Sequence, residues 1–204
     1  EFGAKFGASP LFEHHTTSVV FVDPPDHTRI RKIFQQAFTP KSIRGLEKDI
    51  IELVDSYLIT MHEKKKFDFV SDFSFRLPVD VVCSVLGIPS EDRGLIRDWA
   101  HKILGALEPK LSPKQLDEGS NAVVNFKIYL KEQIRFLKNH KYINKANEIL
   151  SLLIEAEGLE LSETELLHQC IFMLNAGHET STNMLSHGLN ELINHRDQYK
   201  LLQK

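Results

Sequence analysis

The chain has 204 residues, of which 42% are hydrophobic and 26% are charged, and its formal net charge is −3. This length suffices for one sizeable core or for part of a larger one. The small net charge gives no reason to expect nucleic acid or an anionic membrane as a partner. No apolar run approaches the roughly 18 uninterrupted residues of a membrane span, so no membrane association is predicted.

The two cysteines, Cys83 and Cys170, both lie in apolar helical patterns. Two cysteines are too few for a disulfide framework, so the composition favours a reduced, cytoplasmic setting. We also expect a monomer. The chain begins Glu1-Phe2-Gly3 and ends in the middle of a helical pattern, and we interpret it as a fragment.

The N-terminal third is predicted to contain a loop followed by two helices. Residues 1–22 have no steady period, which predicts a mobile loop with His14 and His15 on its surface. Asp23, as N-cap before two prolines, predicts a helix over 24–38. A second helix should begin at Thr39-Pro40 and end near residue 66.

The middle of the chain alternates between turn signals and helical periodicity. Residues 67–70 alternate in polarity, which predicts a very short strand or an extended corner. Ser71 and Asp72 are predicted to cap the next helix, and Gly87 to close it. The predicted helices of this region cover 71–86, 89–107, 113–139 and 144–157.

The last predicted helix is the longest. Ser162 and Glu165 have the spacing of a capping box, and the apolar periodicity continues to Asn194. About 33 helical residues would span roughly 50 Å. A helix of this length normally crosses the middle of a large domain, so the predicted fold is mainly α with at most one short strand.

The centre of this helix breaks the apolar pattern with the segment Ala176-Gly177-His178-Glu179-Thr180-Ser181. Glycine in a helix costs about 1 kcal/mol relative to alanine, and burying an unpaired polar group costs more. Residues that weaken a core element are expected at a functional site.

A second polar constellation lies at the start of the first helix predicted above. His27 and Arg31 are four residues apart and therefore share one helix face. Two cationic donors on one face suit a carboxylate or phosphate ligand. The alternative is a solvated basic patch, and the spacing alone leaves both interpretations open.

Three segments together resemble the cytochrome P450 family of haem-thiolate monooxygenases. Segment 176–181 is similar to the distal-helix signature Ala/Gly-Gly-x-Asp/Glu-Thr-Thr/Ser. Segment 23–31, followed by Phe38-Thr39-Pro40, resembles the C-helix of the family, and segment 77–92 resembles its E-helix and the exit from it. The three segments occur in the order of the family, so the chain is identified as a partial cytochrome P450 domain over residues 1–204.

The resemblance implies a cofactor, haem b, and roles for named residues. His27 and Arg31 would bind the haem propionates. Ala176 and Gly177 would let the helix open beside the haem, Thr180 would hydrogen-bond dioxygen or an adjacent water, and Glu179 would relay protons from solvent. No residue of this chain is expected to ligate a metal.

The family also implies a reaction and its partners. One atom of O2 would be inserted into a small apolar organic substrate, with electrons from NAD(P)H delivered by a ferredoxin or flavoprotein. The proximal Cys ligand of the family lies in a Phe-x-x-Gly-x-x-x-Cys-x-Gly loop that residues 1–204 lack. Because the thiolate is required for oxygen activation, we do not expect this polypeptide alone to be active.

Competing interpretations remain for several residues. The Thr180 hydroxyl could bond to the Ala176 carbonyl and only bend the helix. The chain could be a non-catalytic ligand-binding or scaffold protein, or a hydrolase using His178 or His187 with Glu179, although no nucleophile motif supports the latter. Two apparent motifs are set aside: a zinc-protease pattern with Thr182 in place of the second His, and a Glu132-x-x-Arg135 pair that precedes the long helix.

Overall fold

The computed structural model describes residues 7–108, 110–140 and 148–203. These residues are mainly α-helical and contain no strand, only an isolated bridge between Glu157 and Leu161, so the predicted fold class is confirmed. A π-helical turn, Val70–Ser74, and a 3₁₀ turn, Ser90–Asp92, interrupt the helices. The helices are α1 Pro10–Thr17, α2 Asp26–Ala37, α3 Pro40–Gly45, α4 Glu47–Lys64, α5 Leu77–Val85, α6 Arg93–Gly105, α7 Pro113–His140, α8 Glu148–Ala156, α9 Glu163–Asn194 and α10 Arg196–Leu202.

The N-terminal loop prediction was wrong, because α1 lies within it. Ser9 caps this helix by accepting a hydrogen bond from the Phe12 backbone N–H at 3.2 Å. His14 and His15 were predicted to lie on the surface, but they are buried, with only 3% and 2% of their surface exposed. The helix is stabilised by packing against α7 and α9, which an eight-residue periodicity cannot reveal.

Asp23 is not the N-cap of α2, contrary to the prediction. The helix begins at Asp26, Pro25 occupies the cap position, and the backbone carbonyl of Asp23 accepts the His27 N–H at 3.1 Å. Thr39 does cap the next helix, in a reciprocal capping box with Ser42. The single helix predicted after it is divided at Leu46 into α3 and α4.

No strand forms over 67–70: residues 67 and 68 have no regular structure, residue 69 is helical, and the π-helical turn begins at Val70. The Asp68 carboxylate accepts from the Ser71 N–H at 2.8 Å, and the Asp72 carboxylate accepts from the Asp68 N–H at 3.1 Å. These local bonds wind the backbone, as short acidic side chains commonly do in turns. The helix predicted from residue 71 therefore begins only at Leu77.

The remaining helix predictions agree with the structure where it describes the chain. Predicted helices 89–107 and 113–139 correspond to α6 and α7, and the described part of 144–157 corresponds to α8, since residues 144–147 lie outside the described residues. Gly158 ends α8 with a φ of +81°, in the left-handed region that favours glycine. Within the described residues, no helix has both the length and the apolar character needed to cross a membrane.

Helix α9 organises the core. Ser162 and Glu165 form the predicted capping box, and the helix contacts α1, α5, α6 and α7. Glu165 also accepts from Arg29 at 2.5 Å, which ties α2 to the start of α9. The buried residues of α9 are concentrated in its N-terminal half: Leu166, Leu167, His168, Gln169, Cys170, Ile171, Met173, Leu174 and Asn175.

The predicted opening of α9 at Ala176 and Gly177 is not observed, because the helix is continuous from Glu163 to Asn194. The structure gives Gly177 a different role. A Cβ at this position would lie 2.9 Å from Cγ2 of Val82 on α5, which is closer than real Cβ contacts permit. Gly177 therefore allows α5 and α9 to pack closely.

The Gly177→Ala substitution is expected to destabilise the protein by about 1–2 kcal/mol. Overpacking costs typically about 1–3 kcal/mol, and the stiff χ1 of Val82 limits how far its side chain can move away from the added methyl group. The higher helix propensity of alanine offsets up to about 1 kcal/mol of this cost. Gly188→Ala on the same helix is the matched control, since nothing lies within 4 Å of its added Cβ. Denaturant unfolding should show a loss for Gly177→Ala and none for Gly188→Ala. Equal stabilisation by both substitutions would contradict the packing role.

Candidate functional site

Three of the cavities beside α9 contain residues predicted from the sequence, and the central one adjoins both of the others. The central cavity, of about 370 Å³, has walls from α1, residues 20–21, α6 and α9. The α2 cavity, of about 420 Å³, shares Val20 and Phe172 with it. The outer cavity, of about 400 Å³, lies on the other side of Glu179 and Asn183, which line both it and the central cavity.

The central cavity contains most of the residues predicted from the long helix. Ala176, Glu179 and Thr180 line it together, as their helical spacing requires. The Thr180 hydroxyl donates to the Ala176 carbonyl at 2.8 Å, which is the alternative geometry considered for this residue. Gly177 does not line the central cavity and faces Val82 instead.

The α2 cavity contains the second predicted pair. His27 and Arg31 both line it, beside the aromatic side chains of Phe34 and Phe38. Neither His27 nor Arg31 has a side-chain hydrogen bond or ion pair within the described part of the chain. Two uncommitted cationic donors next to apolar walls are suited to a ligand that is apolar over most of its surface and acidic at one edge.

The outer cavity has a buried polar wall. His178 is 2% exposed and Thr182 is 8% exposed, and the His178 ring contacts Phe75 edge-on with 4.7 Å between centroids. Burial lowers the pKa of His178, although the Phe75 backbone opposes this shift. The imidazole is therefore held neutral over a wider pH range than a solvated histidine.

No pattern in the sequence predicted the cluster of three histidines that joins α1 to α9. His14 contacts His15 and His168 edge-on, with 5.3 Å between ring centroids in each case. His168 is fully buried and its Nδ1 hydrogen-bonds the Thr17 hydroxyl. The sequence around His14 and His15 has no helical periodicity, and His168 is a single polar residue within an apolar helical pattern. Neither feature indicates that the three side chains meet.

Gln169 completes this junction through the backbone. Its side-chain oxygen accepts from the Val19 N–H at 3.1 Å, and its amide nitrogen donates to the Thr17 carbonyl at 2.7 Å. Residues 17–19 thus have their backbone groups satisfied by a buried side chain of α9, which a loop beside a core requires. The junction fixes α1 and Val20 as walls of the central cavity.

Burial keeps two of the three imidazoles, those of His14 and His168, neutral by lowering their pKa values. It lowers the pKa of His168 to about 4, with a smaller contribution from Lys127, against the opposing effect of Glu13. Burial also lowers the pKa of His14 well below its ordinary value, and the neighbouring His168 and His15 lower it further. Uncharged imidazoles pack in the interior without the desolvation cost of a buried cation.

The donor set of the α2 cavity fits the acidic edge of haem. A porphyrin is a flat apolar ring with two carboxylates at one edge, and this cavity combines the aromatic side chains of Phe34 and Phe38 with His27 and Arg31. No group of acidic, histidine or cysteine side chains that could hold a metal ion occurs among the described residues. Cys83 and Cys170 are free and buried, and neither lines the three cavities.

The fold and the cavities define a helical protein whose long helix borders a site for an apolar, acid-edged cofactor. A comparison with protein families gives the same class, since the family model described as cytochrome P450 matches residues 100–204. The chain belongs to the cytochrome P450 family, as its resemblance had indicated.

Known relatives agree with this assignment. Cytochrome P450 CYP107DY1 of Priestia megaterium is 36% identical over 200 residues, covering 96% of this chain and 47% of the relative. The crystal structure of P450BioI with hexadec-9Z-enoic acid ligated to acyl carrier protein has a TM-score of 0.85 and 32% identity, covering 95% of this chain and 49% of that chain. Myxobacterial CYP267B1 in complex with myristic acid has a TM-score of 0.81 and 29% identity, covering 94% and 46%. The chain spans about half the length of the curated relatives it matches.

The buried histidine cluster predicts an acid-dependent loss of stability. Below pH 6.5 the unfolded state binds a proton on His168, whereas the folded state does so only near the lowered pKa of about 4. The free energy of unfolding should therefore fall by about 1.4 kcal/mol per pH unit from this group as pH decreases. Denaturant unfolding of His168→Gln between pH 7.5 and 5 should show a shallower dependence than the wild type.

The exposed His187 provides the matched control, because it lies on the same helix outside the cluster. His187→Gln should leave the pH dependence unchanged. An unaltered slope in His168→Gln would show that the cluster does not determine the acid sensitivity.

Proposed function

We propose that the whole protein is a haem-dependent monooxygenase that inserts one atom of O2 into an apolar organic substrate. The main support is the arrangement of two predicted residue sets, since His27 and Arg31 line one cavity and Ala176, Glu179 and Thr180 line its neighbour. These positions carry the family motifs in a chain that belongs to the family.

His27 and Arg31 would hold the haem by its propionates. Charge-assisted hydrogen bonds from imidazole and guanidinium are among the stronger polar contacts in proteins, and Phe34 and Phe38 add apolar surface at the same edge. When bound, the haem supplies the oxidising chemistry, while the protein supplies binding, orientation and proton control.

Glu179 is proposed to carry protons between two cavities. It lines both the outer cavity and the central cavity, so its carboxylate can take a proton from water on one side and release it on the other. A positioned carboxyl group acts in this way as a general acid.

Thr180 is proposed to position the water molecule that carries the proton at the inner side. Its hydroxyl now donates to the Ala176 carbonyl, and rotation about χ1 would direct it into the central cavity, where it can order a water molecule. A threonine side chain has more than one accessible χ1 rotamer in a helix, so the bond to Ala176 and the catalytic role are compatible.

The apolar walls of the central cavity support an apolar substrate. They are formed by Val20, Phe21, Ile103, Leu104, Leu107 and Phe172, and cavities of this volume and lining are typical of small-molecule sites. We further propose electron delivery from NAD(P)H by a ferredoxin or flavoprotein. The buried, free cysteines, whose pKa values are raised to about 12 by burial, are compatible with a reduced cytoplasmic location.

A carbon monoxide difference spectrum of the reduced whole protein tests the proposal. We expect the absorption band of thiolate-ligated haem, because the family carries its Cys ligand downstream of the distal helix. Failure to take up any haem would favour the non-catalytic ligand-binding or scaffold alternative.

The Thr180→Ala substitution in the whole protein should divert electrons to hydrogen peroxide. Loss of the hydroxyl removes the inner end of the proposed proton path, and general acid–base catalysis typically contributes about 10²–10⁴-fold in rate. The amount of peroxide formed per NAD(P)H consumed should therefore rise several-fold, while the haem content stays unchanged. Thr180→Ser, which keeps the hydroxyl, is the control and should remain coupled. Wild-type coupling in Thr180→Ala would remove Thr180 from the mechanism.

A further inference from the structure

Asn175 is a buried amide without a complete set of partners at the wall of the central cavity. It is 9% exposed, it lines the cavity, and its Oδ1 has no hydrogen-bond partner within the described residues. Leaving a buried acceptor unpaired costs about 1–3 kcal/mol. Such groups are rare in folded proteins and call for a specific explanation.

The position of Asn175 on α9 places it among the functional residues. Phe172, Asn175 and Glu179 follow one another at helical spacing and all line the central cavity. Asn175 is four residues, or about 6 Å of helix rise, before Glu179. A group held at Asn175 would thus lie one turn away from the proposed proton donor.

The lining of the cavity around Asn175 contains no lysine or arginine among the described residues. His14 and His15 also line it, and burial together with the neighbouring imidazoles keeps His14 neutral by lowering its pKa. Glu179 is the one acidic residue in the lining that the structure describes, and no lysine or arginine accompanies it. A carboxylate on a ligand would find no counter-ion here, and burying an unpaired charge is strongly unfavourable.

We propose that Asn175 determines specificity for substrates that carry a neutral hydroxyl group on an apolar body. The hydroxyl donates to Asn175 Oδ1, and the apolar body packs against Val20, Phe21 and Phe172. This inference rests on the proposed function, since it assigns the chemistry of the substrate at that same site. The proposed ligand differs in its polar group from the myristic acid in the structure of CYP267B1.

Recognition of the substrate hydroxyl by Asn175 would discriminate against analogues that lack a hydrogen-bond donor. A site built around a buried polar group rejects an analogue that cannot pair with it, because the group is then left unsatisfied. One neutral hydrogen bond contributes a net threefold to tenfold in affinity, on the order of 0.5–1.5 kcal/mol. Asn175 is a binding residue in this proposal and takes no part in proton transfer.

The test uses the haem-loaded whole protein and three probes with the same chain: 1-decanol, decyl methyl ether and decanoate. Dissociation constants are measured by calorimetry at pH 8, where decanoate is ionised. The wild type should bind 1-decanol about threefold to tenfold more tightly than the ether, which lacks a donor, and more tightly than decanoate.

Asn175→Leu should abolish the preference for the alcohol over the ether, since leucine has a similar volume and no acceptor. Asn183→Leu is the matched control, because Asn183 lines the same cavity and is exposed; the preference should persist there. Equal binding of alcohol and ether by the wild type, tighter binding of decanoate, or no binding of 1-decanol would overturn the proposal. So would a preference that survives in Asn175→Leu.

A second measurement needs no ligand. If Asn175 serves a substrate, removing its unpaired amide should leave the unfolding temperature of Asn175→Leu unchanged or raise it. A lowered unfolding temperature would indicate a structural amide and would contradict the proposal. The carbon monoxide spectrum distinguishes failure of this inference from failure of the proposed function. A normal band of thiolate-ligated haem, together with ligand binding that does not depend on Asn175, would refute this inference and leave the proposed function intact.

Discussion

The burial of the N-terminal half of α9 is the constraint on which the rest of the structure depends. This half packs among α1, α5, α6 and α7, so its polar side chains must find partners inside the protein. His168 and Gln169 find them in residues 17–19. The same bonds hold α1 and Val20 over the centre of the helix, where the central cavity lies. The core and the site are therefore built by one helix.

The centre of α9 departs from the apolar helical pattern for two different reasons. Gly177 is required by the close approach of Val82, which is a packing constraint. Glu179 and Asn175 line a cavity and contribute little to the core, which is the pattern expected where stability is exchanged for function. Thr180 satisfies its hydroxyl on the helix itself and remains next to the cavity. A motif that resembles one functional unit is thus divided among distinct physical roles.

Charge distinguishes the α2 cavity from the central cavity. The α2 cavity has His27 and Arg31, whereas the central cavity has two histidines, two amides and Glu179, and burial keeps His14 neutral by lowering its pKa. An acidic edge of a ligand is favoured in the first and disfavoured in the second. This separation supports a cofactor with carboxylates on one side and a neutral substrate on the other, with Val20 and Phe172 between them.

Local periodicity and capping motifs were enough to predict the mainly helical fold and the capping box at Ser162, and the family resemblance indicated the two residue sets that line the cavities. The helix α1, the burial of His14 and His15, and the packing role of Gly177 became visible only in the folded chain. Eight residues are too few for a reliable period, and burial of a histidine or the need for a glycine depends on neighbours that are distant in the chain. His14 lies 154 positions before His168, and Val82 lies 95 positions before Gly177, so no local pattern could have joined them.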